Sequence, residues 1–187
     1  PIHQNSGFID KFMGDGIMAL FDHPGGTARD KAIDSLNAAL DLRKALTIYN
    51  GHRKNSNYAA VNMGIGIHFG NVIMGTVGSD DRMDTTVIGD SVNIASRLEA
   101  LTPKYQADII VSAQVLQTLG AGYPIKTRLL DWVRVKGRQA PIEIYEVLSH
   151  LPESEQQERL AVQSKIAAGL ACRINKQWDE ALAYFET

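Results

Sequence analysis

The chain has 187 residues, of which 44% are hydrophobic and 21% charged, and its formal net charge is −2. That balance lacks the basic excess of a nucleic-acid binder, no apolar run reaches the about 20 residues of a membrane-spanning helix, and the single cysteine, Cys172, can build neither a disulfide framework nor a cysteine zinc site. Surface scaling predicts about 9,000 Å² exposed in the folded state, hence one domain with at most a short appendage. The sequence opens Pro1-Ile2-His3-Gln4 and ends at Thr187 within a helical pattern, which reads as part of a longer polypeptide.

In chain order, two short apolar stretches between Phe8 and Phe21 flank Gly14-Asp15-Gly16, and this predicts a hairpin with Asp15 at its tip. Thr27 is placed to cap a helix running to about Tyr49, with Ala32, Leu36, Leu40 and Leu46 on its apolar stripe. Ala60 to Phe69 and Val72 to Val77 read as two strands of a second hairpin around Gly70-Asn71. A charged loop is expected over Gly78 to Asp84, then a short β-branched segment, Thr85 to Ile88. A helix over about 92–101 should stop at Pro103. Asp108 to Val111 reads as a strand, Ala113 to Leu119 as a short helix, and Leu129 to Val135 and Ile142 to Leu148 as strands. Pro152 marks a boundary between a unit over 1–151 and a helical extension over 152–187, the latter with one helix over about 154–174 and another from Gln177 or Trp178. The order ββ-α-ββ-α-β-α-ββ predicts an α+β sandwich with helices on a largely antiparallel sheet.

Three clusters could carry chemistry. Lys11 and Asp15 share the first hairpin, where flanking glycines would let a metal and a phosphate approach the backbone; a plain solvated turn is the simpler reading. Asn93 and Arg97, at i and i+4 of the 92–101 helix, would present an amide and a guanidinium side by side to a group gaining negative charge; an exposed helix face is the alternative. Lys136 and Arg138 at a hairpin turn could hold a polyphosphate or simply be solvated. The five histidines have no ligand spacing, and no phosphate-binding loop or nucleophile elbow is present. Gly64-Ile65-Gly66 lies within a strand pattern and suggests close packing.

Taken together, FIDKFMGDGIMALF, GIGIHFGNVIMGTVG, TTVIGDSVNIASRLEALT and VRVKGRQAPIEIYEVL, in that order and spacing, resemble the class III adenylate/guanylate cyclase catalytic domain over about Ile2 to Leu148. The resemblance implies a ferredoxin-like cyclase sandwich. It also implies cyclisation of a nucleoside triphosphate, with two Mg²⁺ or Mn²⁺ ions in each site. Asp15 matches a metal aspartate, Asn93 and Arg97 the transition-state pair, and Lys136 the lysine on the terminal phosphates; the role of Arg138 is less defined. Lys11 and Thr86 fall where the family reads the purine, and a Lys/Thr pair implies ATP, as in a bacterial branch. The family's first metal aspartate lies upstream of its hairpin, so the 187 residues alone are expected to be inactive. The resemblance further implies a homodimer that shares its sites between subunits; the segment is expected to be cytoplasmic, without nucleic-acid or membrane contact of its own, and tethering of the whole protein to a membrane stays open. A non-catalytic dimerisation module of the same fold is the main alternative, and an RNA-binding sheet lacks the aromatics and basic face it would need. From Ile166 on, Gly169, Trp178, Ala181, Leu182 and Phe185 resemble the start of a tetratricopeptide helix pair, a possible surface for protein partners; a terminal amphipathic helix packed on the core is the other reading.

Overall fold

The computed structural model describes residues 1–79, 82–134 and 141–186, without the side chains of 77–79 and 82–86. Strands β1 (Phe8–Met13) and β2 (Gly16–Leu20) form the first hairpin. Helix α1 (Ala28–Asn55) follows, and its start obeys the capping logic. Thr27 accepts from the Asp30 amide, and the Asp30 carboxylate returns a bond to the Thr27 amide at 2.9 Å. The helix runs six residues past the expected Tyr49, because nothing between Asn50 and Asn55 breaks it and Gly51 is tolerated on an open face.

The central sheet has the order β3-β6-β8-β7, from β3 (Ile65–Ile67), β6 (Ile109–Ser112), β8 (Ile142–Val147) and β7 (Thr127–Val133). It is mixed, since β3 pairs with β6 in parallel while the other two pairings are antiparallel. This corrects the expected second hairpin. The 60–69 segment contributes only three residues of strand, and they cross to β6. Its expected partner is instead β4 (Ile73–Ser79), which pairs with β5 (Arg82–Ile88) in a separate ribbon. The charged loop expected over 78–84 is thus largely strand. Backbone pairing overrode the polar composition there.

Helices cover both faces of the central sheet. On one, Ala32, Leu36 and Ala39 of α1 and Val115 and Leu119 of α3 (Ala113–Leu119) enclose Ile109, Val111 and Val147. On the other, Ile94 and Leu98 of α2 (Asp90–Tyr105) pack with Ile110, Leu130, Ile142 and Ile144. Alternation along β6 sends Ile109 and Val111 one way and Ile110 the other, so this strand is apolar throughout. Helix α2 runs four residues beyond the expected end and includes Pro103. It closes at Gln106, whose φ of 50° is left-handed.

Two glycines set how closely α2 lies on β3. A Cβ at Gly66 would stand 2.3 Å from the Ala95 carbonyl oxygen and the Glu99 nitrogen, and one at Gly64 would stand 1.9 Å from Thr102 Oγ1. The intervening Ile65 and Ile67 point to the α1 face. The Gly-Ile-Gly pattern is therefore a seat for a helix backbone, in keeping with the close packing expected from the sequence.

The C-terminal extension is three helices: α4 (Glu153–Ala161), α5 (Gln163–Ile174) and α6 (Trp178–Phe185). The expected single helix over 154–174 breaks at Val162. The extension is fastened to the core by charge. Glu146 of β8, with a side chain only 1% exposed, accepts from Arg128 at 2.5 Å and also pairs with Arg159 of α4. Arg173 of α5 pairs with Asp131 of β7. Between α5 and α6 a Cβ at Gly169 would stand 2.8 Å from the Phe185 ring. The exposed surface, 11,753 Å², exceeds the about 9,000 Å² expected of a compact chain. The two ribbons and the helical extension carry most of the large exposed apolar side chains.

Replacing Gly66 by alanine should cost about 3 kcal/mol or abolish folding, because the opposing atoms are backbone and cannot turn aside. Gly51→Ala, where a Cβ meets nothing, should gain about 0.5–1 kcal/mol. Urea denaturation of both variants checks the contrast. The molecule also has an acid-labile element. The His150 hydrogen bond and Arg43 hold the Asp108 carboxyl below its ordinary value despite partial burial. Burial pushes Asp131 up, but bonds from Arg173 and Tyr105 outweigh it and hold that carboxyl low as well. Depressed carboxylates contribute stability that is present above about pH 4, the unfolded value, and is lost as the pH falls through their lower folded values. Asp108→Asn should flatten the acid limb of a melting-temperature profile and leave its neutral plateau slope unchanged.

Candidate active site

Asn93 and Arg97 lie one turn apart on α2, and both are exposed. The buried face of the same helix carries Ser91, Ile94, Leu98 and Thr102, so the i, i+4 pair points away from the sheet as the spacing requires. The helix start is tied down by Ser91 Oγ, which donates to the Asn71 carbonyl at 2.9 Å. The amide and guanidinium are thus offered to solvent from a rigid helix whose height is set by Gly64 and Gly66.

Lys11 and Asp15 sit on the β1–β2 ribbon, which forms a sheet of its own. Gly14, with φ of 64°, makes the turn, and Asp15 is exposed beside it. The ribbon bulges at Asp10, between the pairs Ile9–Ala19 and Lys11–Met18. The bulge brings Lys11 Nζ within 3.2 Å of the Asp10 carboxylate, whose side chain is 5% exposed. Asp10 joins the candidates only in the fold; in the sequence its one signal is its place beside Lys11. Thr86 lies on β5 opposite Gly75 of β4. Its side chain, and all of Lys136 and Arg138, lie outside the described residues.

The candidates therefore fall into two groups within one chain: a helix face with Asn93 and Arg97, and a ribbon with Lys11 and Asp15. A hard divalent cation takes oxygen ligands. Asp15 fits as one such ligand, at an open tip where nothing lies within 4 Å of a Cβ at Gly14. Among the described residues no group of three His, Cys, Asp or Glu side chains gathers into a metal centre, so Asp15 needs a further carboxylate. Both ribbons expose large apolar side chains, Phe12, Met13 and Ile17 on one and Ile73, Met74 and Ile88 on the other. No helix among the described residues is long and apolar enough to cross a membrane.

Known proteins resemble the chain in sequence and in fold. The chain is 45% identical over 152 residues to an adenylate cyclase of Anabaena cylindrica, covering 78% of this chain and 29% of that protein. It spans less than a third of the length of the curated relatives first matched. The crystal structure of the adenylyl cyclase CyaB from P. aeruginosa superposes with a TM-score of 0.69 at 29% identity, over 80% of this chain and 77% of that one. The guanylyl cyclase Cya2 superposes with a TM-score of 0.66 at 31% identity, over 81% and 74%. Residues 9–149 match the family described as the adenylate and guanylate cyclase catalytic domain, and the chain belongs to that family.

Proposed function

We propose that the protein is an adenylate cyclase, a lyase that converts ATP to 3′,5′-cyclic AMP and pyrophosphate at sites shared between two copies of the chain. The observation that carries this is the exposed Asn93–Arg97 pair on α2 in a chain of the cyclase family. In the reaction the ribose 3′-oxygen gives its proton to solvent water and bonds to the α-phosphorus, while the bond from that phosphorus to the bridging oxygen breaks and pyrophosphate leaves. Negative charge grows on the α-phosphate oxygens. Arg97 faces that charge as a fixed donor, worth most where water is excluded. Asn93 orients the ribose, and Lys136 holds the terminal phosphates. Mg²⁺ or Mn²⁺, when bound, would lower the 3′-hydroxyl pKa and neutralise the triphosphate; Asp15 would supply one carboxylate to hold it.

The names of the similar proteins span both purines, so the choice of ATP rests on Lys11 and Thr86. Adenine offers a ring-nitrogen acceptor to the ammonium and an amino donor to the threonine oxygen, whereas guanine presents the reverse at both atoms. The shared site is supported by the apolar side chains exposed on both ribbons, each a sheet of its own. A homodimer would cover those side chains and bring the Asp15 of one copy to the helix face of the other. The α5–α6 pair, close-packed at Gly169, is read as the first tetratricopeptide-like unit and a surface for protein partners.

Assay of the whole natural protein with Mn²⁺–ATP and Mn²⁺–GTP in parallel, beside residues 1–187 alone, tests this. Cyclic AMP should form from the whole protein and pyrophosphate with it. Arg97→Ala should lower kcat by about 10²–10³-fold. Lys11→Glu combined with Thr86→Cys should move the preference toward GTP. If neither nucleotide yields product, the domain is a dimerisation module instead. Ile73→Asp should shift the sedimentation equilibrium toward monomer and make specific activity rise with protein concentration.

A further inference from the structure

The C-terminal helices reach back to the end of α2. Tyr105, its last residue, donates its hydroxyl to Asp131 Oδ2 at 2.7 Å. Arg173 of α5 donates to Asp131 Oδ1, which also accepts from the Trp132 amide at 2.6 Å. The carbonyl of Gln106, the residue that closes α2, accepts from Arg159 of α4 at 3.2 Å. Arg159 is itself held by the buried Glu146. Asp131 lies at a bulge in β7, where the pairing with β8 shifts between Leu129 and Asp131. The bulge turns its carboxylate out of the strand's alternation and toward two helices at once.

This clasp adds a directed restraint at the C-terminal end of α2. Gly64 and Gly66 set the height of α2 above β3, and the Ser91 hydrogen bond to Asn71 holds its first turn. A directed hydrogen bond at one end resists rotation. Arg97 and Asn93 stand 8 and 12 residues before Tyr105, about 12 and 18 Å along a rigid helix. A rotation at Tyr105 is passed along the helix to both, through a last turn that holds Pro103. The carboxylate between Tyr105 and Arg173 is shielded, with a side chain 14% exposed, so losing one partner is felt by the other.

We propose that Asp131 is a positioning residue for the cyclase reaction. With Arg173 and Tyr105 it fixes the rotation of α2, hence where Asn93 and Arg97 meet the nucleotide, and it makes that setting depend on the docking of α5. The inference rests on the catalytic reading of Asn93 and Arg97 above.

The test uses the whole natural protein with Arg173→Gln, Tyr105→Phe, their double variant and Arg173→Lys. Arg173 is partly exposed and Tyr105→Phe removes one hydroxyl, so these proteins fold; melting temperatures verify it. Arg173→Gln and Tyr105→Phe should each lower kcat about tenfold while KM for ATP stays within about twofold, as expected for misplacement of transition-state groups. The double variant should lose about tenfold as well, because both changes release one element. Arg173→Lys should recover at least half of the wild-type kcat. A kcat within about twofold of wild type in both single variants overturns the proposal, as does a multiplicative loss of about a hundredfold in the double. A wild-type protein without cyclase activity overturns the catalytic reading itself, and the proposal with it.

Discussion

The seat of α2 on β3 is the contact on which the rest of the molecule depends. Most helices stand off a sheet by the thickness of two side-chain layers. Here Gly64 and Gly66 remove one layer, and the backbone of Ala95 to Glu99 comes down onto the strand. That approach lets Ile94 and Leu98 reach the cluster under β6, β7 and β8. It also leaves the opposite face, with Asn93 and Arg97, rigidly presented to solvent. If the proposed function holds, such a pair must not reorganise as charge develops, and a helix pressed on a strand backbone meets that need better than a loop would.

Charge does the work at the periphery that apolar packing does at the centre. Glu146 is buried between Arg128 and Arg159, and Asp131 and Asp108 each gather partners from separate elements. Buried ion pairs contribute little net stability, but they define geometry, since an unpaired buried charge is costly. Each of these carboxylates lies at a junction: β8 with α4, β7 with α2 and α5, and the start of β6 with α1 and His150. The extension is thus joined to the strands and helices before it by directed contacts.

The ribbons show the opposite economy. Phe12, Met13, Ile73, Met74 and Ile88 remain exposed although the chain has apolar surface to bury them against. Single exposed apolar residues are ordinary, but two ribbons carrying them beside the candidate site residues are not. A second copy that covers them would also complete the nucleotide site, so assembly and catalysis would share one surface.

Much of this was legible in the residues. Most of the element order, the Thr27 cap, the Asp15 turn, the packing role of Gly64 and Gly66 and the i, i+4 pair on α2 follow from local rules, because turn chemistry, capping and helical periodicity act within a few residues; the third strand between α1 and α2 did not. The cyclase family followed from four motifs in fixed order, a pattern too specific to arise from composition. What local rules could not decide was pairing between distant segments. Whether Ile65–Ile67 paired with the next strand or crossed to β6 depended on which face of the sheet the intervening α2 would cover. Nothing in the sequence marked Asp131, since its partners lie 26 and 42 residues away. The sequence determined the family and most of the elements; the tertiary structure alone decided which elements touch, because that choice is made by the collective burial of surfaces far apart in the chain.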